Sequence, residues 1–308
     1  MELTELQQTS ILQLYQALYN DIAGTENLES YSLMFTERGS LARLAETISK
    51  NQGFFGRFYP NDMAPLAFAE AFVNDLIGDR AAESDKTIAT EYIVNKIADG
   101  ATQNELIPEI TTLLSSFPAT HPNWGMAAAH YIRESAARIV DNLAGNTVSS
   151  DDKVLAVNYI VDQMNSAGQS FGDMIEWAIT TLDSIDYSNP IWGNAAALFD
   201  NRIEISRYYS IEKAGELNGL VKQILASISH DSATVATAKA AIDALLNNFS
   251  IDLGTLDGNN GFLIGDHSLD NGVSKMIFDL YPITVWTSQD PQNSLTQLMG
   301  VHMPNDFV

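Results

Sequence analysis

The chain has no cysteine. That excludes a disulfide framework, a zinc–thiolate site and a thiol nucleophile, and it fits a secreted bacterial protein. Positive charge is scarce. Sixteen Lys and Arg stand against 39 Asp and Glu, a formal net charge of −23 over 308 residues. Nucleic acid and anionic lipid both demand a basic footprint, so neither is expected as a partner. A surface this acidic keeps a protein soluble and can recruit cations. No run of 18 apolar residues occurs, so no transmembrane segment is expected. The first twenty residues lack a basic region and carry Glu2 and Glu5, so no signal peptide is expected there.

What the chain does have is enough apolar content, 45%, for a real core. It also has an internal repeat. An apolar helix runs into Asn20-Asp21, two apolar residues and Gly24. The outline recurs as Asn74-Asp75 with Gly78, and as Asp141-Asn142 with Gly145. A polar loop, an amphipathic segment and a further glycine (Gly39, Gly100, Gly168) follow each time. Recurrence on this scale points to duplication of a helical unit.

The punctuation is helical. Leu6, Ile11, Leu14, Leu18 and Ile22 recur at helical spacing, and Gly24 is expected to end that helix. Ser40 reads as an N-cap and Pro65 as a first-turn proline. Thr102 with Glu105, Ser149 with Asp152, and Ser170 with Asp173 have capping-box spacing. The loops HPNWG (121–125) and SNPIWG (188–193) match, each with Pro two residues before Trp and Gly directly after it.

Composition shifts from Ile251 onward. Gly and Asn punctuation, β-branched residues and short apolar runs predict strands and turns there. The expected fold is therefore mainly α: about three diverged helix-loop-helix units over 1–250, followed by a small β-rich region over 251–308.

Candidate chemistry is sparse. One G-x-S-x-G spans Gly168–Gly172, with Ser170 at its centre. A hydrolase elbow needs a strand before the serine. Here a helix precedes it, and Ser170 aligns with the caps at Ser40 and Thr102. The histidines are His121, His130, His230, His267 and His302, and none forms H-E-x-x-H. His130 and Glu134 stand at i, i+4, two ligands without a third in view. No catalytic residue is assigned, and no cofactor except Ca²⁺. The segment containing Asp252, Asp257, Asn259 and Asp266 alternates oxygen donors with Gly turns. That pattern suits Ca²⁺ on flexible loops and suits Asx-rich hairpin turns equally. The terminal Asp306-Phe307-Val308, an acidic residue followed by apolar ones, resembles the tail of type I secretion substrates.

Leu14, Tyr15, Leu18, Tyr19, Gly39, Ser40, Leu41 and Phe55, with Asn201, Glu204, Tyr208 and Tyr209, carry a wider resemblance over about 10–210. These residues are similar to the helical domain of unknown function found in type I-secreted, RTX-type and S-layer bacterial surface proteins. The Trp of that pattern is missing near Tyr31, and the RTX nonapeptide repeats are absent. The resemblance implies export to the bacterial surface, self-association into a polymer, contact with cell-surface polysaccharide, and a calcium-binding β region. The expected function is a non-enzymatic, extracellular, self-assembling surface-layer, sheath or filament subunit. The alternatives are a monomeric glycan-binding module, with Trp124 and Trp192 stacking on sugars, and a serine hydrolase using Ser170.

Overall fold

The computed structural model describes residues 3–51, 59–216 and 218–254. By its contacts the chain divides into Met1–Ala244 and Leu245–Val308. The architecture below belongs to the first of these.

Twelve α-helices follow one another among the described residues. The first three are α1 (Glu5–Tyr19), α2 (Thr25–Arg38) and α3 (Leu41–Ile48). The plan repeats as α4 (Pro65–Ile77), α5 (Glu83–Ala98) and α6 (Gln103–Ser116). It repeats again as α7 (Gly125–Ala144), α8 (Ser150–Ala167) and α9 (Phe171–Asp183). The repeating unit thus has three helices, one more than a helix-loop-helix. A fourth copy begins with α10 (Gly193–Arg207), whose leading Trp-Gly turn matches the one before α7 and which carries Asp200-Asn201 in mid-helix. It then diverges into a π-helical turn, Tyr208–Glu212, followed by α11 (Asn218–Ala226) and α12 (Ala233–Gly254).

The third helix of each unit starts on the expected hydroxyl. Ser40, Thr102 and Ser170 accept from the backbone N–H three residues on, and the last two close full capping boxes with Glu105 and Asp173. Thr4 and Gln7 form a further box at the start of α1. Gly24 has a different role from the one expected. It precedes α2 with ordinary negative φ, and the left-handed residue that ends α1 is Asn20, at φ 49°. Asn tolerates that conformation because its short polar side chain bonds locally. Here Asn20 Oδ1 accepts from Gln16 Nε2 at 2.8 Å.

The expected change to strands is overturned. The regular elements of the described residues are helices, with no strand among them. Helix α12 runs through the proposed boundary and carries Ile251, Asp252, Leu253 and Gly254. The reason is local. Ala233–Leu246 is rich in Ala and Leu, strong helix formers, and one β-branched residue at 251 costs a helix only a few tenths of a kcal/mol. The expected strands and turns after Gly254 lie outside the described residues.

The core is built around α1. Ile11, Leu14 and Leu18 are buried with Ile139 and Leu143 of α7, Ile175 and Ile179 of α9, and Phe199 of α10. Closest packing comes where α3 crosses α9. A Cβ at Gly172 would lie 2.0 Å from the Ala42 carbonyl oxygen.

The recurrent Asn/Asp pairs join the units. Asn142 Nδ2 donates to the carbonyls of Ala17 and Leu18, at 2.8 and 3.1 Å, in the last turn of α1. Arg202 Nη1 donates to Asn20 Oδ1 at 2.9 Å and to the Asn142 carbonyl at 3.4 Å. Asn201 Nδ2 donates to the Ser229 carbonyl at 2.8 Å. Helix C-termini leave carbonyls without intrahelical partners, and these amides and the guanidinium satisfy some of them across unit boundaries.

Candidate functional site

Two concavities flank α9, and both are set by unit junctions. The first is a cavity of about 500 Å³ with a mixed polar and apolar lining that includes Glu46, Lys50, Phe117, Tyr131, Ser170 and Phe171. Glu46 Oε2 accepts from the Gly172 N–H at 2.8 Å, and its Oε1 pairs with Lys50 Nζ at 2.5 Å. The carboxylate therefore holds the N-terminus of α9 and also faces the cavity. Burial, and then the charge of Glu46, push the Tyr131 phenol far above its ordinary value, so Tyr131 remains protonated.

Ser170 lines this cavity, but its hydroxyl donates to Asp173 Oδ2 at 2.7 Å and accepts from the Asp173 N–H at 3.1 Å. It follows helix α8, with Gly168 at that helix's C-cap in the left-handed conformation. Among the described residues no histidine lines the cavity. An activated nucleophile needs a base within hydrogen-bond reach. Among those residues the carboxylate bonded to this hydroxyl is that of its own capping partner.

The second concavity is an apolar groove of about 390 Å³ between α8, α9 and the turn before α10. Its origin is visible in the two matching loops. His121 Nδ1 accepts from the N–H groups of Asn123 and Trp124 at 3.3 and 3.1 Å. Asn189 Oδ1 accepts from those of Ile191 and Trp192 at 3.0 and 2.9 Å. Both turns press a glycine against backbone. A Cβ at Gly125 would lie 2.3 Å from the Ala119 carbonyl, and one at Gly193 would lie 2.2 Å from that of Tyr187. The turns share one conformation, and His121 and Asn189 each brace the turn that leads into the next helix, a role the sequence motif leaves unread.

Their surroundings differ. Trp124 is buried, 2% exposed, with its ring stacked 6.4 Å from that of Phe117. In register with Phe117 stands Ile185. Trp192 is only half-buried, and the space left by the smaller residue opens as the groove, lined by Leu155, Trp177, Ile185, Ile191 and Trp192. Of the two tryptophans that a glycan-binding module would stack on sugars, Trp124 is buried and Trp192 is half-exposed.

The remaining candidates are dispersed. His130 and Glu134 stay an isolated pair, with the His130 pKa lowered by burial and by the Arg80 charge, against the pull of Glu134. Among the described residues no group of three His, Asp or Glu could hold a metal ion. Asp252 lies in α12 rather than in a turn. Asp257, Asn259, Asp266, Asp306, Phe307 and Val308 lie outside the described residues, as does Phe55. No described helix is long and apolar enough to cross a membrane.

Three carboxyls sit above their ordinary values. Burial raises Asp21 against the opposing charge of Lys222, 3.4 Å away. Burial and Asp183 raise Asp200 against a hydrogen bond from Tyr187. Burial, with the charges of Glu26 and Glu29, raises Glu216 against the Glu26 N–H. For a raised carboxyl the folded state binds more protons than the unfolded state, so stability increases as pH falls through the folded pKa towards the ordinary carboxylate range. Self-repulsion of a −23 chain acts in the same direction. The lowered His130 opposes the trend on the way down from neutral pH, one group against these three, and lowered carboxyls such as Glu105, held down by the Thr102 N–H and hydroxyl, reverse it only below that range. The thermal midpoint is therefore expected to be higher at pH 5 than at pH 8. Glu216→Gln should flatten the difference. A midpoint that falls monotonically from pH 8 to pH 5 would contradict this assignment.

No family model, curated protein or solved structure matches this chain.

Proposed function

We propose that this chain is a non-enzymatic structural subunit of the bacterial exterior, one that assembles with copies of itself into a layer, sheath or filament. The observation that carries the reading is the repeated three-helix unit. The first unit packs on the third through α1 with α7 and α3 with α9, and Asn142 and Arg202 reach the end of α1. A unit that packs on its own duplicates within one chain can pack on the same unit of another chain, so the architecture extends by adding copies. A heterologous contact that does not close generates a filament or sheet.

Supporting features lie in composition. A cysteine-free, strongly acidic chain suits an exposed surface where cations are plentiful. Repulsion between copies would be relieved there by salt or a divalent cation. Negative-stain electron microscopy of the purified chain at milligram per millilitre concentration, with and without millimolar Ca²⁺, tests the reading. Ordered polymers are expected in at least one condition. Particles that stay monomeric in both, with sedimentation confirming the monomer, would overturn it.

A further inference from the structure

The groove beside Trp192 has features that assembly with like-charged copies does not use. We propose that it is a docking site for a cationic amphipathic helix of another protein, rich in lysine or arginine and bearing one or two bulky apolar anchors.

The apolar floor comes first. Leu155 is 66% exposed and Ile191 46% exposed, and they flank Trp177 and Trp192. Tyr159, 44% exposed, packs on Trp177 with ring centroids 4.6 Å apart. Contiguous exposure of this kind marks an interaction site, whereas single exposed residues do not. The fold itself shows what fills such a space. At the matching turn the Phe117 ring lies on Trp124, and with Ile185 in that register the equivalent volume is open. A bulky apolar anchor from a partner would take the place of that ring.

The backbone of the partner is constrained next. Apart from Asp152 and Thr181, the lining side chains are apolar. A strand laid there would bury unpaired N–H and C=O groups, whereas a helix satisfies its own.

Charge then selects the partner. Asp152 lines the groove, and residues 150–192, which supply most of its lining, carry Asp151, Asp152, Asp162, Asp173, Glu176, Asp183 and Asp186 against a single base, Lys153. That base is turned away, donating to Asp141 Oδ1 at 2.9 Å and to the Gly145 carbonyl. An apolar floor in an acidic frame complements a basic amphipathic helix. A second copy is a poor match. It brings −23 of like charge, and at least eight of its basic side chains are already paired with its own carboxylates.

The test uses the full chain and two synthetic 18-residue helices of identical apolar pattern, one with lysine and one with glutamate at the polar positions. Binding is followed by calorimetry and by the change in tryptophan fluorescence. The leucine–lysine helix is expected to bind, to weaken as salt is raised, and to bind at least about tenfold more weakly to Leu155→Glu and to Ile185→Phe, as removal or filling of an anchor pocket should do. The leucine–glutamate helix is expected not to bind. Leu155→Glu changes an exposed residue, and circular dichroism checks that it folds. Equal binding to wild type and both variants would mean attraction to overall charge alone and would overturn the proposal. So would absence of binding, equal binding of the glutamate helix, or a wild-type dimer in sedimentation that Leu155→Glu dissolves. The polymer assay is independent of all these readings, so either proposal can fail alone.

Discussion

Gly172→Ala is expected to lower stability by about 3 kcal/mol, although alanine is the better helix former. The propensity gain at an open helical position is about 1 kcal/mol. Against it stands a Cβ placed 2.0 Å from the Ala42 carbonyl oxygen and 2.9 Å from the Glu46 nitrogen and Cβ. Two of those three neighbours are backbone atoms of α3, so relief requires the helices to separate rather than a side chain to turn. Overpacking of this kind costs about 1–3 kcal/mol. Separation also stretches the bond from the Gly172 N–H to the Glu46 carboxylate, now 2.8 Å, a charged hydrogen bond worth about 1.5–3 kcal/mol. The sum outweighs propensity. At about 2–4 °C per kcal/mol for a chain of this size, the melting midpoint should drop by roughly 6–12 °C. Gly100→Ala is the control. Its Cβ would meet nothing within 4 Å, but φ is +103°, so only backbone strain of about 1–2 kcal/mol is expected. A Gly172→Ala protein as stable as wild type, measured by calorimetry beside that control, would show that α3 and α9 are not locked at this crossing.

Helix starts were the most legible part of this chain, because a hydroxyl or proline at a start acts within four residues. Ser40, Pro65, Thr102, Ser149 and Ser170 each begin the helix that the sequence predicts. Helix ends were less so. Gly24 follows α1 in sequence, yet Asn20 turns the chain, and nothing local distinguishes the two. The strand prediction after 250 failed at Ile251–Gly254 because β-branched and Gly residues bias a segment only weakly against an alanine-rich helix already propagating into it. The groove was half legible. The Pro-x-Trp-Gly match identifies equivalent turns, but the exchange of Phe117 for Ile185 has meaning only once the turns are seen to share a conformation. Ser170 was read correctly as a cap from register alone, whereas the role of Glu46 at the same helix end depends on a contact 126 residues away in sequence.

Arg202 was the least legible residue, since an arginine in a helix ordinarily reads as surface. Counted from the matched Trp-Gly turns, its place in α7 is that of the exposed Glu134, so the earlier unit does not foretell a buried side chain here. Here it is buried, 9% exposed, and burial lowers its pKa. Its Nη1 reaches Asn20 at the end of α1 and the Asn142 carbonyl near the end of α7. Both helix C-termini carry partial negative charge, which favours a cation by up to about 2 kcal/mol each in buried geometry. The desolvation penalty of a buried ion is several kcal/mol, so the net value of the charge is small beside its parts. What decides the mutant is what it leaves behind. In Arg202→Leu, Asn20 Oδ1 still accepts from Gln16, but the Asn142 carbonyl keeps only a contact of 3.5 Å from Gln16 Nε2. An under-satisfied buried carbonyl costs about 1–3 kcal/mol, so a loss of about 2 kcal/mol is expected. Arg202→Ala adds a cavity and should lose about 4 kcal/mol. Urea denaturation of both variants separates the contributions: the Leu-to-Ala difference reports packing, and the wild-type-to-Leu difference reports the cation among the carbonyls. If Arg202→Leu proves as stable as wild type, Arg202 is a space-filler, and the helix-end network does not hold the first and third units together.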